Sequence, residues 1–402
     1  MNDSSTDRMN DAGRMNDVER ANDVERANYA GRIVPAALAA LLAVSVAGCA
    51  GGEPRGAADA NGLEGNVEPL YASNAEGANL DLYYPEDIES HWAYEELDNF
   101  VNADLMNGYV DPSGAVKLRP DQPISRAEFV ALVVRALGLA SDRAGKRFAD
   151  VPEGSWYSEP VRVASSLGIV DGATPTSFAP DRLITRGEIA TLLVRAFAGS
   201  IRFVGEAKRF ADVPDDYFAA AAIADASRVD IVRGATETEF RPFANAKRGE
   251  AVVMLQRALD LQRSGPPADD VLVGHVLDAE AAQYEALAAA SADYGALYGL
   301  NEIYYTGFYL AYSDAAVDEL VDMSMDGFRV EMTRTTPPTA TVVDKTDRFA
   351  AVESSGGLYE YRIYDAAGNE MTGTKETDGL YLLKRMPDGG WKIYAYFSTG
   401  DM

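Results

Sequence analysis

The chain has almost no cysteine and almost no histidine. Its 402 residues include one cysteine, Cys49, and two histidines, His91 and His275. That scarcity excludes a disulfide framework, a zinc site of the usual histidine–cysteine type and a cysteine–histidine catalytic pair. Positive charge is also short. Lysine and arginine total 36 against 63 aspartates and glutamates, a formal net charge of −27. A chain this acidic repels nucleic acid and anionic membranes as a whole, so an acidic partner needs a locally basic site. What is present is enough for globular structure: 47% of residues are hydrophobic, and the length suits two or three domains.

Residues 1–32 form a short degenerate polar repeat that cannot build a core. Residues 33–48 are apolar, follow Arg32 and end in small residues. That run is too short to span a bilayer comfortably and reads as a signal-peptide core. It closes on Val46-Ala47-Gly48-Cys49, which resembles a bacterial lipobox. The resemblance implies cleavage before Cys49 and lipidation of its thiol, which makes Cys49 a membrane anchor. Asp17, Glu19, Asp23 and Glu25 depart from the net-positive flank usual before such a core. Residues 49–80, rich in glycine, alanine, asparagine and glutamate, read as a flexible tether.

Three stretches, at 83–140, 146–199 and 208–262, then repeat one another with a period of about 62 residues. Each opens on an aspartate (Asp87, Asp150, Asp212) followed by an aromatic residue (Trp92, Trp156, Tyr217). Each ends on a helix start: Ser125-Arg126-Ala127-Glu128, Thr185-Arg186-Gly187-Glu188 and Lys247-Arg248-Gly249-Glu250. Ser125 and Thr185, with glutamate three residues on, form capping boxes. Phe129, Leu132, Val133, Ala136 and Leu137 then fall on one helical face, as do their counterparts in the other repeats. Three equal apolar stripes predict three equivalent helices around a common axis. Arg126, Arg186 and Arg248 sit in the first helical turn, where the macrodipole disfavours positive charge. Their recurrence suggests an anion site beside free backbone N–H groups, or ion pairs to an aspartate of a neighbouring repeat.

These motifs closely resemble the S-layer homology family. The resemblance implies an all-α, pseudo-threefold trefoil whose grooves bind secondary cell-wall polysaccharide. That polymer is acidic and often carries pyruvate ketals. Carried over by position, Arg126, Arg186 and Arg248 would contact the anion. Asp87, Asp150 and Asp212, with Trp92, Trp156 and Tyr217, would line the grooves. Repeat three departs from the pattern at Tyr217 and at Lys247. The glycine usual before the short turn is kept as Gly168 but replaced by Asp104 and Asp230. The groove using Gly168 is therefore expected to suit an acidic glycan best.

Residues 263–270 contain a glycine–proline break and read as a linker. In 271–402, helices are expected at 271–300 and 314–323. Six strands follow, at 328–333, 340–344, 349–353, 358–364, 379–385 and 391–397, giving an α+β domain. Helices before a curved antiparallel sheet resemble the NTF2-like cone, most clearly in the hairpin 379–394. Some members of that superfamily are enzymes with paired acid/base groups in the cone. Here His275 lies at the domain's start, and Tyr304, Tyr305, Tyr309 and Tyr312 read as core. The expectation is a non-enzymatic wall-anchored surface lipoprotein without cofactor. The competing class is a wall-anchored enzyme or small-ligand sensor with its site in the cone.

Overall fold

The computed structural model describes residues 80–112, 114–289 and 294–399. The polar extension, the apolar run, Cys49 and nearly all of the tether lie outside the described residues. No helix among the described residues is long and apolar enough to cross a membrane.

In the repeats, helices α1 (Tyr94–Asn102), α3 (Ser158–Ser166) and α5 (Ala220–Arg228) alternate with α2 (Arg126–Ala136), α4 (Arg186–Phe197) and α6 (Arg248–Asp260). The second set forms where the capping boxes predict it. Ser125 and Thr185 side chains accept from the N–H of Glu128 and Glu188, and both glutamates answer on the cap N–H. Repeat three keeps half of this device. Glu250 accepts from the Lys247 N–H at 3.0 Å, but an ammonium has no lone pair to offer in return. The repeats are not wholly helical. Tyr109–Val110 (β1) and Val116–Lys117 (β2), rich in strand-forming residues, pair antiparallel in repeat one.

The three repeats close into a ring. Ile124 N–H donates to the Ala246 carbonyl at 3.0 Å, Ala246 N–H to Ile184 at 2.9 Å, and Ile184 N–H to Ile124 at 3.0 Å. All three residues are buried, so the ring satisfies backbone groups that would otherwise be costly in the interior.

The C-terminal part has helices α7 (Asp269–Ala289), α8 (Ala296–Tyr304) and α9 (Gly307–Met325) and seven strands. These are β3 (Arg329–Thr336), β4 (Thr339–Lys345), β5 (Phe349–Ser355), β6 (Leu358–Tyr364), β7 (Glu370–Glu376), β8 (Gly379–Arg385) and β9 (Trp391–Ser398). The second expected helix is longer than 314–323, because the aromatic stretch before it is helical too. Strand β7, whose sequence is mostly polar, had no counterpart among the expected strands. The strands form two antiparallel sheets, in the orders β3-β6-β7 and β4-β5-β8-β9. Consecutive strands β3/β4, β5/β6 and β7/β8 are halves of long strands bent at residues 337–338, 356–357 and 377–378. Gly356-Gly357 is thus a bend inside one long strand. The Asp378 carboxylate accepts from Gly356 N–H at 2.6 Å, and Thr377 N–H donates to the Gly357 carbonyl at 3.0 Å.

The two parts are docked. Ala311, Tyr394 and Ala395 share the apolar core of the repeats, with Phe308, Phe349 and Leu382 against it. The Tyr394 hydroxyl donates to Asn99 at 2.7 Å, and the Lys384 ammonium donates to the Ala103 carbonyl. The segment read as a linker is pinned as well. Asp347 accepts from the N–H groups of Ser264 and Gly265 at 3.2 and 2.8 Å, and Arg263 forms two bonds to Asp344.

Burial lowers the Lys384 pKa to about 8, opposed by Asp104 and reinforced by Lys392 and Arg135. Between that value and the ordinary 10.5 the unfolded chain binds more protons than the folded one. Stability from this residue therefore rises with pH across the window and is lost as pH falls through 8. Subtracting the urea profile of Lys384→Met from that of the wild type should reveal this slope between pH 8 and 10. Parallel profiles would show that the amine is not buried at a docked interface.

Candidate functional site

The site is built at the three junctions between repeats. At each, an arginine from one repeat reaches into the next. Arg126 Nε donates to the Phe178 carbonyl at 3.1 Å, Arg186 Nε to Phe240 at 2.9 Å, and Arg248 Nε to Leu118 at 2.8 Å. Their Nη1 atoms meet Glu188, Glu250 and Glu128 at 3.1, 2.9 and 2.6 Å. Each of these glutamates is the capping-box residue of the following repeat. The arginines are only 5, 6 and 4% exposed, so they are ring-closing groups and not surface cations. The partner is a glutamate, where an aspartate was expected. At the junction of repeats three and one, the Tyr109 hydroxyl donates to Glu128 at 2.5 Å and accepts from Arg248 at 3.0 Å. Burial pushes the Glu128 carboxyl up, but the Arg248 charge and bonds from Tyr109 and Ser125 outweigh it and hold it low.

The aspartates have an equally local task. Asp87 accepts from the N–H groups of Leu118 and Arg119 at 2.8 and 2.7 Å. Asp150 does so from Phe178 and Ala179, and Asp212 from Phe240 and Arg241. Arg119, Ala179 and Arg241 have φ of 52°, 59° and 60°. A non-glycine residue there costs about 1–3 kcal/mol, and the paired bonds to the aspartate offset it. Gly168 also answers a backbone demand. It ends α3 at φ 75°, and Asp104 and Asp230 stand at the same place after α1 and α5 with φ of 54° and 57°. Asp104 also accepts from the Tyr83 hydroxyl at 2.8 Å.

The exposed groups are aromatic. Trp92 is 63% exposed and lies beside His91, while Trp156 is half-buried and meets Tyr157 edge-on. Helix-entry hydrogen bonds fix the equivalences. Tyr94 N–H donates to His91, Ser158 to Ser155 and Ala220 to Tyr217. Tyr217 therefore occupies the position of His91 and Ser155, and Phe218, 66% exposed, is the counterpart of Trp92 and Trp156. Lys247 also gains a role: it pairs with Asp121 at 2.6 Å, across from repeat three to repeat one. Between those repeats Asn107, Glu128, Arg135 and Arg248 line a cavity of about 20 Å³, room for a water but not for a sugar ring.

In the C-terminal part, His275 Nε2 lies 3.4 Å from the Tyr304 carbonyl. Tyr305 and Tyr309 are buried in the core, as expected. Sequence reasoning missed Glu280. It accepts from the Tyr381 and Ser354 hydroxyls at 2.6 and 3.1 Å, and its Oε2 is buried without a hydrogen-bond partner. Burial raises its pKa.

Residues 86–130, 147–190 and 209–252 each match the S-layer homology domain. The chain thus carries three S-layer homology repeats, and the ring is made of them. Among its relatives, the middle cell wall protein of Brevibacillus brevis is 34% identical over 145 residues, 35% of this chain and 12% of that protein. The surface-layer 125 kDa protein of Lysinibacillus sphaericus is 28% identical over 188 residues, 46% of this chain and 15% of that protein. For the cellulosome-anchoring protein of Acetivibrio thermocellus the identity is 27% over 165 residues, 40% and 36% of the two chains. The likeness therefore spans no more than 36% of the length of any of these three relatives. Among solved structures, the intermembrane-space region of the chloroplast protein ARC6 aligns with 33% of this chain and 97% of that one. Its identity is 15% and its TM-score 0.25, which carries no argument.

Proposed function

We propose that this chain is a cell-surface protein held to the bacterial cell wall by its three repeats, with secondary wall polysaccharide as the ligand. The observation that carries the reading is the threefold match to the S-layer homology domain, with Trp92, Phe218 and Phe243 exposed on the repeats. Relatives named for the cell wall, the surface layer and cellulosome anchoring support it. On this reading Cys49 is lipidated, and the C-terminal part is an NTF2-like cone carried without a catalytic role.

The arginines enter as frame. To grip an acidic substituent, a guanidinium must release its glutamate. Breaking such a buried pair costs about 3–5 kcal/mol. A new charged hydrogen bond returns about 1.5–3 kcal/mol. The exchange is unfavourable, so the sugar is placed on the exposed aromatic residues above the ring.

Purified full-length protein should sediment with cell walls of its source bacterium and stay in solution once the wall polysaccharide is extracted. Equal binding to stripped walls removes the anchor reading. In cells, Cys49→Ser should move the protein out of the detergent phase; unchanged partitioning removes the lipid.

A further inference from the structure

The three junctions are alike in backbone and unlike in chemistry. After the prolines that recur in the three repeats, Pro120, Pro180 and Pro242, come Asp121, Asp181 and Phe243. Two grooves therefore carry a carboxylate where the groove between repeats two and three carries a benzyl ring. Phe243 is 62% exposed. Its ring centroid lies 4.7 Å from that of Tyr217, and the Phe218 centroid lies 4.6 Å from it. Both phenylalanines meet Tyr217 edge to face. Its hydroxyl shares a hydrogen bond with Thr185, and its ring lies against Gly187, where a Cβ would come within 2.7 Å of the hydroxyl oxygen. Gly187 is thus the residue that lets this ring lie on the start of α4.

Two outward aromatic rings on a fixed third are not a core that failed to close. Leaving a phenylalanine side chain in water forgoes about 1.5–3 kcal/mol of burial, and here two neighbouring ones are left. The surroundings set what can cover them. Asp215 and Asp216 are exposed on the loop directly before Tyr217 and add negative charge beside the rings. Thr185 and Asn245, paired across the junction, give a polar rim. Apolar faces with a hydroxyl and amide edge suit a ring whose C–H face is apolar and whose rim carries hydroxyls.

We infer that the groove between repeats two and three, formed by Tyr217, Phe218 and Phe243, binds a neutral, unsubstituted pyranose of the wall glycan by stacking. The inference rests on the wall-anchor reading and adds that this groove takes a chemically different unit of the polymer from the two that carry a carboxylate.

The test compares full-length wild type, Phe243→Ala and Phe218→Ala/Phe243→Ala in sedimentation with polysaccharide-bearing walls, at low salt and at 1 M NaCl. The double variant should bind about tenfold or more weakly. The loss should be the same at both salt concentrations, because stacking involves no ion pair. The unfolding midpoint should not move, since both rings are exposed. Wild type that binds walls alongside variants that bind equally well overturns this groove and leaves the anchor standing. Wild type that ignores the polysaccharide overturns both. A variant that keeps wall binding but changes from dimer to monomer in sedimentation velocity assigns the rings to self-association and overturns the inference.

Discussion

Arg248→Ala is expected to remove about 3–5 kcal/mol of stability, the usual cost of leaving a buried charge without its partner. Against a typical total of about 5–15 kcal/mol that is a third or more. The side chain holds three things at once: the Leu118 carbonyl, the Tyr109 hydroxyl and Glu128. Glu128 also caps α2, so its release loosens the helix start in the next repeat. Arg248→Lys should recover part of the loss, because lysine keeps the charge but cannot serve a carbonyl and a carboxylate from one planar fork. Arg126→Ala and Arg186→Ala should fall in the same range, since their bonds repeat the pattern. Arg248→Met combined with Glu128→Gln should be milder than Arg248→Ala alone, because no charge is stranded. Urea midpoints decide the matter: three alanine variants within about 0.5 kcal/mol of wild type would mean the arginines are not structural.

Gly307→Val should have a comparable effect at the other seam of the molecule. Gly307 opens α9 at φ 59°, and a Cβ there would lie 2.1 Å from the Asn102 carbonyl oxygen. Asn102 is the last residue of α1, so the obstruction is backbone that cannot swing aside. Left-handed geometry costs a non-glycine residue about 1–3 kcal/mol, and an over-packed contact a further 1–3 kcal/mol. The strain is relieved by undocking. Tyr394, Phe308 and Ala311 then lose their place against the repeats. Calorimetry should show two transitions where the wild type shows one, and a protease should cut at 263–268. A single transition at the wild-type temperature would refute the seam.

The parts of this structure legible in the sequence are those fixed by neighbours along the chain. Ser125 with Glu128 and Thr185 with Glu188 announce their helices because a capping box closes within four residues. The bond from Arg126 to Glu188 spans 62 positions, and Glu188 already had a local use. Its second partner was hidden for that reason. The spacing of 60 and then 62 residues shared by the arginines and glutamates was the available clue. The aspartates were readable as recurrent but not as clamps on a left-handed turn, since Arg119, Ala179 and Arg241 are not residues that signal positive φ. Counting five residues from the aspartate, as from Asp87 to Trp92, lands on Tyr217; Trp156 stands six from Asp150, and the backbone bonds show that Phe218, six from Asp212, is its counterpart. Strand β7 escaped because Glu370, Thr374, Lys375 and Glu376 present no alternating apolar face. The docked seam escaped because a glycine–proline stretch such as 264–267 looks the same whether or not Asp347 holds it.

The closed loop of hydrogen bonds through Ile124, Ala246 and Ile184 carries a consequence for copy number. An open array gains or loses a unit at its ends and keeps its remaining contacts. A circle of three cannot: each unit bonds both of its neighbours, and a different number of units changes the angle at which those bonds must close. Unequal recombination between such similar segments would therefore yield misfolded chains and not longer anchors. The same closure makes the start of the circle arbitrary. A gene rearranged to begin at repeat two and end on repeat one, with a short join between residues 262 and 83, would still supply every bond of the ring, provided α1 keeps its place beneath the C-terminal helices.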